Sequence, residues 1–371
     1  MDSITQAALG GVVGELVLGR KIGGGKGMLW GILFGTFPDL DVFLKFGREG
    51  IELLRWHRGI SHSLLFIVLI PLLLAKPLSF LHRKRGLSSS RAAWFIFLAW
   101  GTHVLIDVFT GYGTQIFEPF SDQRVSMNNI AIVDPLFTLP LLFCLLWWPL
   151  RGLHHLIKIL AWKISESDPE ERPHFPTFKK RRTTIALTLS SLYVIFSLIM
   201  KLWAYDRIST QMEAQVPKGE LVAVSPTLFN TLLWRALIET EKGYFITYWS
   251  PFDKNEDKTK FEFIAKNHQL AKKFQGEEDF KTLKWFSRGH WVARQDQNQS
   301  VIFTDIRFGE LRDPKTQSMI PIFNWSLDYD QDEKLISKRV SKPRPSTQDA
   351  LNSLFKRVIG EKDDWEKVKT Y

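Results

Sequence analysis

Cysteine is almost absent from this chain of 371 residues, which contains Cys144 alone. A single thiol excludes a disulfide bond within the chain and excludes zinc sites built from several thiolates. Any metal ion would therefore be held by histidine, aspartate and glutamate side chains. A basic N-terminal segment is absent too, because Asp2 stands where a secretory signal peptide carries positive charge. We therefore expect the N-terminus to be retained.

Charged residues are scarce in four long apolar runs of the first 204 residues. The runs cover 62–80, 92–109, 130–150 and 183–203. Each is close to the roughly 20 apolar residues with which one helix crosses a bilayer. The pattern predicts a mainly α, polytopic membrane bundle in residues 1–204.

Two shorter apolar runs, at 4–18 and 28–37, lie on either side of a glycine-rich segment at 23–27. Both runs carry glycines four residues apart, a spacing that lets membrane helices approach closely. The glycine pairs are Gly10 with Gly14 and Gly31 with Gly35. We interpret the two runs as a tightly packed hairpin, which brings the predicted number of membrane helices to about six.

Basic residues give the chain a formal net charge of +10, and many of them lie in short segments between the apolar runs. This placement is typical of topology determinants, so we expect a lipid bilayer as partner and no nucleic acid. The basic segments are 20–26, 82–91 and 179–182. By the positive-inside rule these segments are cytoplasmic, so the opposite ends of the helices face outward.

Residues 205–345 have the composition of a soluble domain, without an internal repeat, a low-complexity segment or a catalytic motif. Strands are predicted at 221–224, 244–248 and 301–308. Helical spacing of apolar residues predicts a helix at 258–274. A capping pattern at Ser346 and Asp349 predicts an amphipathic helix within the terminal segment 346–371. These patterns indicate a small α+β domain that ends in a helix and a tail.

Two pairs of ionisable residues fall at the outer ends of the predicted helices. Asp39 and Asp41 follow Pro38, which ends the preceding helix, and two carboxylates in one turn can face a single cation. A solvated helix end is the alternative for this pair. His103 and Asp107 are four residues apart, which places them on one helix face in a metal-ligand geometry. A self-satisfied pair inside the bundle is the alternative for them.

A third group lies at the mouth of an apolar run, where His57 and His62 flank Arg58 and Gly59. The two histidines do not share one face of a regular helix, so we expect Gly59 to break the helix. His57 would then lie on the loop and His62 on the following helix. Arg58 would suit an anionic group such as a phosphate. An interfacial basic segment anchored by Trp56 also explains Arg58, but it does not explain both histidines.

Asp134 precedes Pro135 at the start of another predicted helix. Its carboxylate could cap that helix, or it could act as a ligand or as a neighbour of the ligands. The candidates together supply three histidines and three or four aspartates on one side of a helical bundle, enough for one or two metal ions. A bound metal lowers the pKa of water, which makes metal-assisted hydrolysis the expected reaction class.

Four motifs resemble those of the YdjM-like family of inner-membrane proteins, which are described as metal-dependent hydrolases. The motifs are DSITQA at 2–7, FPDLD at 37–41, HRGISHS at 57–63, and His103 followed by Asp107. That family is distantly similar to the all-helical fold of zinc phospholipase C and related nucleases. The resemblance implies a set of metal ligands here, namely Asp39, Asp41, His57, His62, His103 and Asp107. Gln6 stands where many relatives have a histidine, and this favours fewer ions or a water-bridged one.

These observations predict an integral membrane hydrolase that uses a divalent metal, zinc, to activate water against a phosphoester or lipid-like substrate. Asp39, Arg58 and Asp134 are the candidate catalytic residues. The alternative is a non-catalytic membrane protein whose His/Asp cluster is structural or binds a regulatory partner. A transporter with an ion site at the membrane midplane is less favoured, because the candidate ligands lie near helix ends. We expect the bacterial inner membrane, with the site and the C-terminal domain on the periplasmic side.

Overall fold

The computed structural model describes residues 1–43, 50–164, 180–254, 259–313, 317–340, 347–362 and 365. The first part of the chain is helical. Its helices are α1 (Ser3–Ile22), α2 (Gly24–Thr36), the short α3 (Leu53–Trp56), α4 (Leu64–Leu81), α5 (Ser89–Phe109), α6 (Pro135–Ile164) and α7 (Lys180–Gln215). Among the described residues, four 3-10 turns lie between them: Phe37–Val42 after α2, Gly50–Glu52 before α3, Ile60–His62 before α4 and Arg83–Arg85 before α5.

Four of these helices, α4 to α7, are long and apolar enough to cross a membrane. The prediction of about six membrane helices is therefore confirmed for four, and α1 and α2 are not among them. Helix α7 has 36 residues. At 1.5 Å per residue it is about 54 Å long, more than the hydrocarbon core of a bilayer. Its last turns therefore project beyond the membrane, where Ala204 and Ile208 pack against Trp234 and Trp249 of the following domain.

Helices α1 and α2 pack backbone against backbone through the predicted glycines. A Cβ atom on Gly10 would lie 2.3 Å from the carbonyl oxygen of Gly31, and one on Gly14 would lie 2.2 Å from that of Gly27. A Cβ on Gly35 would lie 2.7 Å from the Cα of Gly10. No side chain fits at these distances, so the close approach of the two helices depends on glycine.

Hydrogen bonds between loops show which helix ends lie together. The backbone N–H of Asp2 donates to Ile132, just before α6, and the N–H of Leu64 at the start of α4 donates to Ile116. Asn129 donates to Phe109 at the end of α5. At the opposite end of the bundle, Arg85 donates to the carbonyl oxygen of Ile22 over 2.5 Å. The basic residues of the loops after α1 and α4 thus share one end.

In its described residues, the C-terminal domain contains two antiparallel sheets of four strands and one β-hairpin. Its strands are β1 (Glu220–Pro226), β2 (Trp234–Glu239), β3 (Gly243–Trp249), β4 (Glu262–Ala265), β5 (Trp291–Gln295), β6 (Val301–Asp305), β7 (Glu310–Asp313), β8 (Ser318–Pro321), β9 (Asn324–Tyr329) and β10 (Leu335–Arg339). The strand orders are β1-β2-β3-β4 and β10-β9-β6-β5, and β7 pairs with β8. Helices α8 (Glu278–Phe286) and α9 (Thr347–Val358) complete the domain.

Most predicted elements of this domain are confirmed, with two corrections. The predicted strand at 301–308 ends at Asp305, whose side chain accepts the N–H of Arg307 and starts a 3-10 turn. The predicted helix at 258–274 is wrong, because Glu262–Ala265 forms β4 and His268–Phe274 forms a 3-10 turn. Asn267 lies between them with a φ of 49°, a left-handed conformation that interrupts a helix.

The predicted domain boundary at residue 204 falls inside α7, so one continuous helix joins the two parts of the chain. The boundary at 345/346, together with Ser346 of the capping pattern, lies outside the described residues. The terminal helix itself is present as α9.

The C-terminal domain packs on the loops of the helical part. Ile51, just before α3, and Leu54, within α3, are buried in one apolar core with Phe280 and Phe286 of α8. Arg124 lies in the same contact, with its guanidinium 5.1 Å from the ring centre of Phe286. The two parts therefore share a core, and the domain sits at the end of the bundle that carries these loops.

A buried network of charges lies inside the C-terminal domain. Arg312 donates to both carboxylate oxygens of Glu262, over 3.2 and 2.7 Å. Arg235 donates to Glu310 over 3.1 Å, and the hydroxyl of Tyr248 donates to Glu310 as well. These residues come from four different strands, so the network ties the first sheet to β7.

Candidate metal centre

Four of the predicted residues converge at one end of the helical bundle: Asp39, His62, His103 and Asp107. Three short segments supply them. Asp39 lies in the 3-10 turn after α2, and His62 ends the 3-10 turn before α4. His103 and Asp107 come from adjacent turns of α5, as their spacing predicted. We call these four residues the metal centre.

The donor atoms of the metal centre are separated by the distances expected of ligands that share one metal ion. The Nε2 atoms of His62 and His103 are 3.1 Å apart. Oδ1 of Asp39 is 3.4 Å from the first nitrogen and 3.5 Å from the second. Oδ2 of Asp107 is 3.4 and 3.6 Å from the same two atoms. Ligands about 2.0–2.1 Å from a tetrahedral zinc ion are roughly 3.3 Å from one another.

The ring of His103 is oriented by the backbone of α2. Its Nδ1–H donates to the carbonyl oxygen of Gly35 over 2.6 Å. A carbonyl oxygen accepts only, so Nδ1 carries a proton, and Nε2 is the ring nitrogen that faces the centre. His62 is held from its other nitrogen, since Nδ1 lies 2.9 Å from the hydroxyl of Ser61.

Asp107 is fully buried, and its two oxygens have different neighbours. Oδ1 accepts from Gln6 over 3.0 Å, lies 3.1 Å from Arg58 Nη2 and contacts the amino group of Met1. Oδ2 faces the two histidines and has no hydrogen-bond partner among the described residues. A buried carboxylate oxygen without a partner is costly, and a cation between the histidines would supply one.

Asp41 and His57 form a second layer beside the metal centre. His57 Nδ1 donates to Asp41 Oδ1 over 2.9 Å. The other oxygen, Oδ2, accepts the hydroxyl of Ser61 and the backbone N–H of Arg58, both over 3.0 Å. Successive residues of a 3-10 turn are about 120° apart, so Asp39 and Asp41 point in different directions. The structure thus places Asp41 and His57 against each other, with Asp41 3.4 Å from Nδ1 of His62.

Arg58 is buried instead of facing an open pocket. Its Nη2 pairs with Asp107, its Nη1 donates to Thr110 over 3.1 Å, and its guanidinium lies 4.9 Å from the ring centre of Tyr112. Its φ is 59°, which is unfavourable for a residue with a side chain. Asp41 and Gln115 hold this conformation, because Asp41 accepts the N–H of Arg58 and Gln115 donates to its carbonyl oxygen.

Burial and neighbouring charges shift the pKa values of Asp39, Asp41 and His62. Burial raises the pKa of Asp39 and Asp41, but hydrogen bonds from His103, His62 and His57 outweigh it and hold both well below their usual range. Burial lowers the pKa of His62, yet the three carboxylates around it raise that pKa to about 10. The carboxylates around His62 therefore favour positive charge at this position.

Asp134 lies apart from the four converging ligands. It caps α6, with Oδ1 3.4 Å from the N–H of Phe137, and Oδ2 accepts the hydroxyl of Tyr193 over 3.0 Å. Tyr193 lies on α7 and also bonds Thr231 in the C-terminal domain. The helix-capping interpretation therefore describes its observed contacts.

Several residues of the site carry no sequence signal that singles them out. Tyr112 and Arg124 are two such residues, and they act through aromatic and backbone contacts that depend on the fold. Arg124 donates to the carbonyl oxygens of Leu54, His57 and Gly113. His62 also departs from expectation, because it lies in the turn before α4, and Ser63 caps that helix.

Comparison with known proteins places these residues in a family. The model of the YdjM inner membrane protein family matches residues 1–204, more than half of the chain and all four residues of the metal centre. The chain belongs to the YdjM inner membrane protein family. The resemblance of the sequence motifs to this family is thus confirmed.

Two relatives of this YdjM family member are known by name. The uncharacterized protein YfhP of Bacillus subtilis (strain 168) is 25% identical over 266 residues, which cover 66% of this chain and 67% of that protein. The inner membrane protein YbcI of Escherichia coli (strain K12) is 34% identical over 125 residues, or 33% of this chain and 69% of that protein. No solved structure gives a significant match.

Proposed function

We propose that the metal centre binds one divalent cation and that the cation is zinc. The observation that carries this proposal is the spacing of two imidazole nitrogens and two carboxylate oxygens, with five of their separations between 3.1 and 3.6 Å. Mixed histidine and aspartate ligands suit zinc. The unpartnered Oδ2 of Asp107 is a second argument, because it faces both histidines.

We further infer that the protein is a membrane-integral, metal-dependent hydrolase of phosphoester or lipid-like substrates. A divalent cation, when bound, supplies Lewis acidity and lowers the pKa of water toward neutrality. Asp39 is the ligand on the accessible side, since its side chain is 22% exposed and those of His62 and Asp107 are fully buried. Arg58 neutralises Asp107, and Asp41 orients the ring of His57 at the edge of the centre. These contacts hold the ligands in place and keep a proton-binding group nearby.

A non-catalytic role is the second candidate, and one observation favours it. All four donors come from the protein, and structural zinc sites have four protein ligands, whereas catalytic ones keep a position open. In that case the ion would stabilise the fold by linking α5 to the turns after α2 and before α4.

Full-length protein purified in detergent tests both proposals. Metal analysis should find one equivalent of zinc, and the double variant His103→Ala with Asp107→Ala should contain none. Asp134→Asn serves as the matched control, since it alters a buried carboxylate outside the metal centre. Metal-free wild-type protein would refute the metal site. One equivalent of zinc without turnover of aryl phosphoesters or membrane phospholipids would favour the structural role.

We also propose that the metal centre and the C-terminal domain lie on the outer side of the bacterial inner membrane. The basic residues of the loops after α1 and α4 support this orientation, because they lie at the opposite end of the bundle. Residues 165–179, which include part of the third basic segment, lie outside the described residues.

A further inference from the structure

The loops at the metal-centre end of the bundle expose large apolar side chains. Phe120 is 88% exposed, Phe117 is 44% exposed, and Leu40 and Ile60 are also exposed. We call these four residues the apolar rim. Large apolar side chains exposed together on neighbouring loops are uncommon on a surface that faces only water, and they mark contact with a membrane or another molecule.

The apolar rim continues the lipid-facing surface of a membrane helix. Leu64, the first residue of α4, is 51% exposed and donates its backbone N–H to Ile116 over 2.9 Å. Helix α4 is one of the four that can cross a membrane, and its exposed leucines begin at this turn. The loop that contains Phe117 and Phe120 is therefore fixed at the level where α4 enters the bilayer.

The apolar rim also borders the accessible side of the metal centre. Leu40 follows Asp39, and Ile60 is two residues before His62 in the turn that presents this ligand. The two loops are joined, because Gln115 donates to the carbonyl oxygen of Arg58 over 3.0 Å. A molecule that approaches Asp39 past Leu40 and Ile60 passes along apolar side chains.

We propose that the apolar rim inserts into the headgroup region of the bilayer and that the metal centre takes its substrate from the membrane. The substrate is then an amphiphilic lipid, with its polar head at Asp39 and its acyl chains beside the rim. This inference rests on the proposed hydrolase function. A water-soluble phosphoester would gain nothing from apolar side chains at this position.

Spin labels measure the depth of the apolar rim directly. Cys144 is the sole cysteine, so Cys144→Ala gives a background in which Phe120→Cys and Phe117→Cys can each be labelled in full-length protein. The protein is placed in vesicles of phosphatidylethanolamine and phosphatidylglycerol. Leu72→Cys on the exposed face of α4 is the lipid reference, and Glu241→Cys in the exposed β2–β3 turn is the water reference. Zinc content is measured on the same samples.

Labels at 117 and 120 should collide with oxygen several-fold more often, relative to a water-soluble nickel complex, than the label at 241. If the ratio of oxygen to nickel collisions at 117 and 120 equals that at 241, the inference is overturned. Bound zinc in the same sample would still support the proposed metal site. A label shielded from both reagents also overturns it, since a second copy or another protein would then cover the rim. If the collision ratios resemble that at the lipid reference but no zinc is bound, the apolar rim lies in the bilayer and the proposed metal site is refuted.

Discussion

His103 donates its ring Nδ1–H to the carbonyl oxygen of Gly35 over 2.6 Å, and the Cα of Gly35 lies against Gly10. One glycine of the α1–α2 hairpin thus touches both the opposite helix and a residue of the metal centre. The orientation of a candidate ligand therefore depends on how closely two helices pack.

Gly35→Ala should lower both thermal stability and zinc content. The new Cβ would lie 2.7 Å from the Cα of Gly10 and 3.0 Å from the carbonyl oxygen of Gln6, so α2 must move away from α1. Overpacking of this kind costs about 1–3 kcal/mol. Gly25→Ala in the same helix is the control, because nothing lies within 4 Å of its Cβ position. Equal melting temperatures for the two variants would contradict this coupling.

Asp107→Asn should weaken zinc binding by more than about 100-fold, or about 2.8 kcal/mol, because it removes a ligand charge at the centre. Arg58 then keeps a buried positive charge without its carboxylate, which lowers stability as well. Competition with a zinc chelator measures the affinity. Asp134→Asn should bind zinc like the wild type, and a loss of zinc in that variant would show that Asp134 takes part in the site.

His57→Ala should reduce zinc affinity by about 10–100-fold while full occupancy is still reached at high zinc concentration, since His57 supports the ligands through Asp41. His62→Ala should abolish binding, because it removes a donor atom. His82→Ala is the control, as that ring accepts from Trp30 at the opposite end of the bundle. A complete loss of zinc in His57→Ala would make His57 a direct ligand.

Acid should destabilise the C-terminal domain through Glu310. Burial raises the pKa of Glu310, but Arg235 and Arg312 outweigh it and hold the pKa below the ordinary value of 4.5. The unfolded chain then takes up a proton first as pH falls, so this stabilisation is present above pH 4.5 and is lost below it. Melting curves by circular dichroism between neutral pH and pH 3 measure the change. Glu310→Gln should lower the free energy of unfolding by about 3–5 kcal/mol at neutral pH. It should also make the melting temperature less dependent on pH below pH 4.5. If the melting temperature of that variant falls with pH as steeply as that of the wild type, other groups cause the acid sensitivity.

Thiol labelling in intact cells tests the orientation. In the Cys144→Ala background, Glu241→Cys should react with a membrane-impermeant maleimide once the outer membrane is permeabilised. Lys84→Cys, in the loop after α4, should react after lysis of the inner membrane. The reverse pattern would place the metal centre and the C-terminal domain in the cytoplasm.

The four residues of the metal centre were all among the candidates that the sequence supplies, and physical rules explain why. His103 and Asp107 share a helix face at any depth in the bundle, and ionisable residues next to apolar runs are rare enough to stand out. The glycine spacing likewise predicts the α1–α2 contact, because small residues four apart form one stripe on a helix.

Of the six predicted ligands, four converge and two, Asp41 and His57, pair with each other instead. This division depends on backbone geometry that the spacing of residues in the sequence does not show. Asp39 and Asp41 diverge because their segment forms a 3-10 turn, and the left-handed conformation of Arg58 turns His57 toward Asp41. The predicted helix at 258–274 failed for a related reason, since Ile264 has a strand neighbour, Tyr244, that local periodicity cannot show. The sequence suggested that Arg58 would suit an anionic group such as a phosphate. The fold shows that its guanidinium pairs with the carboxylate of Asp107 inside the protein.

All residues of the metal centre lie between positions 39 and 107, ahead of the loop that Tyr112 and Arg124 occupy and far ahead of the C-terminal domain. Chains are synthesised from the N-terminus, and early segments fold while later ones are still being made. The complete ligand set is thus present once α5 has been inserted. The proposed ion would therefore find all four of its ligands before the C-terminal domain has been synthesised.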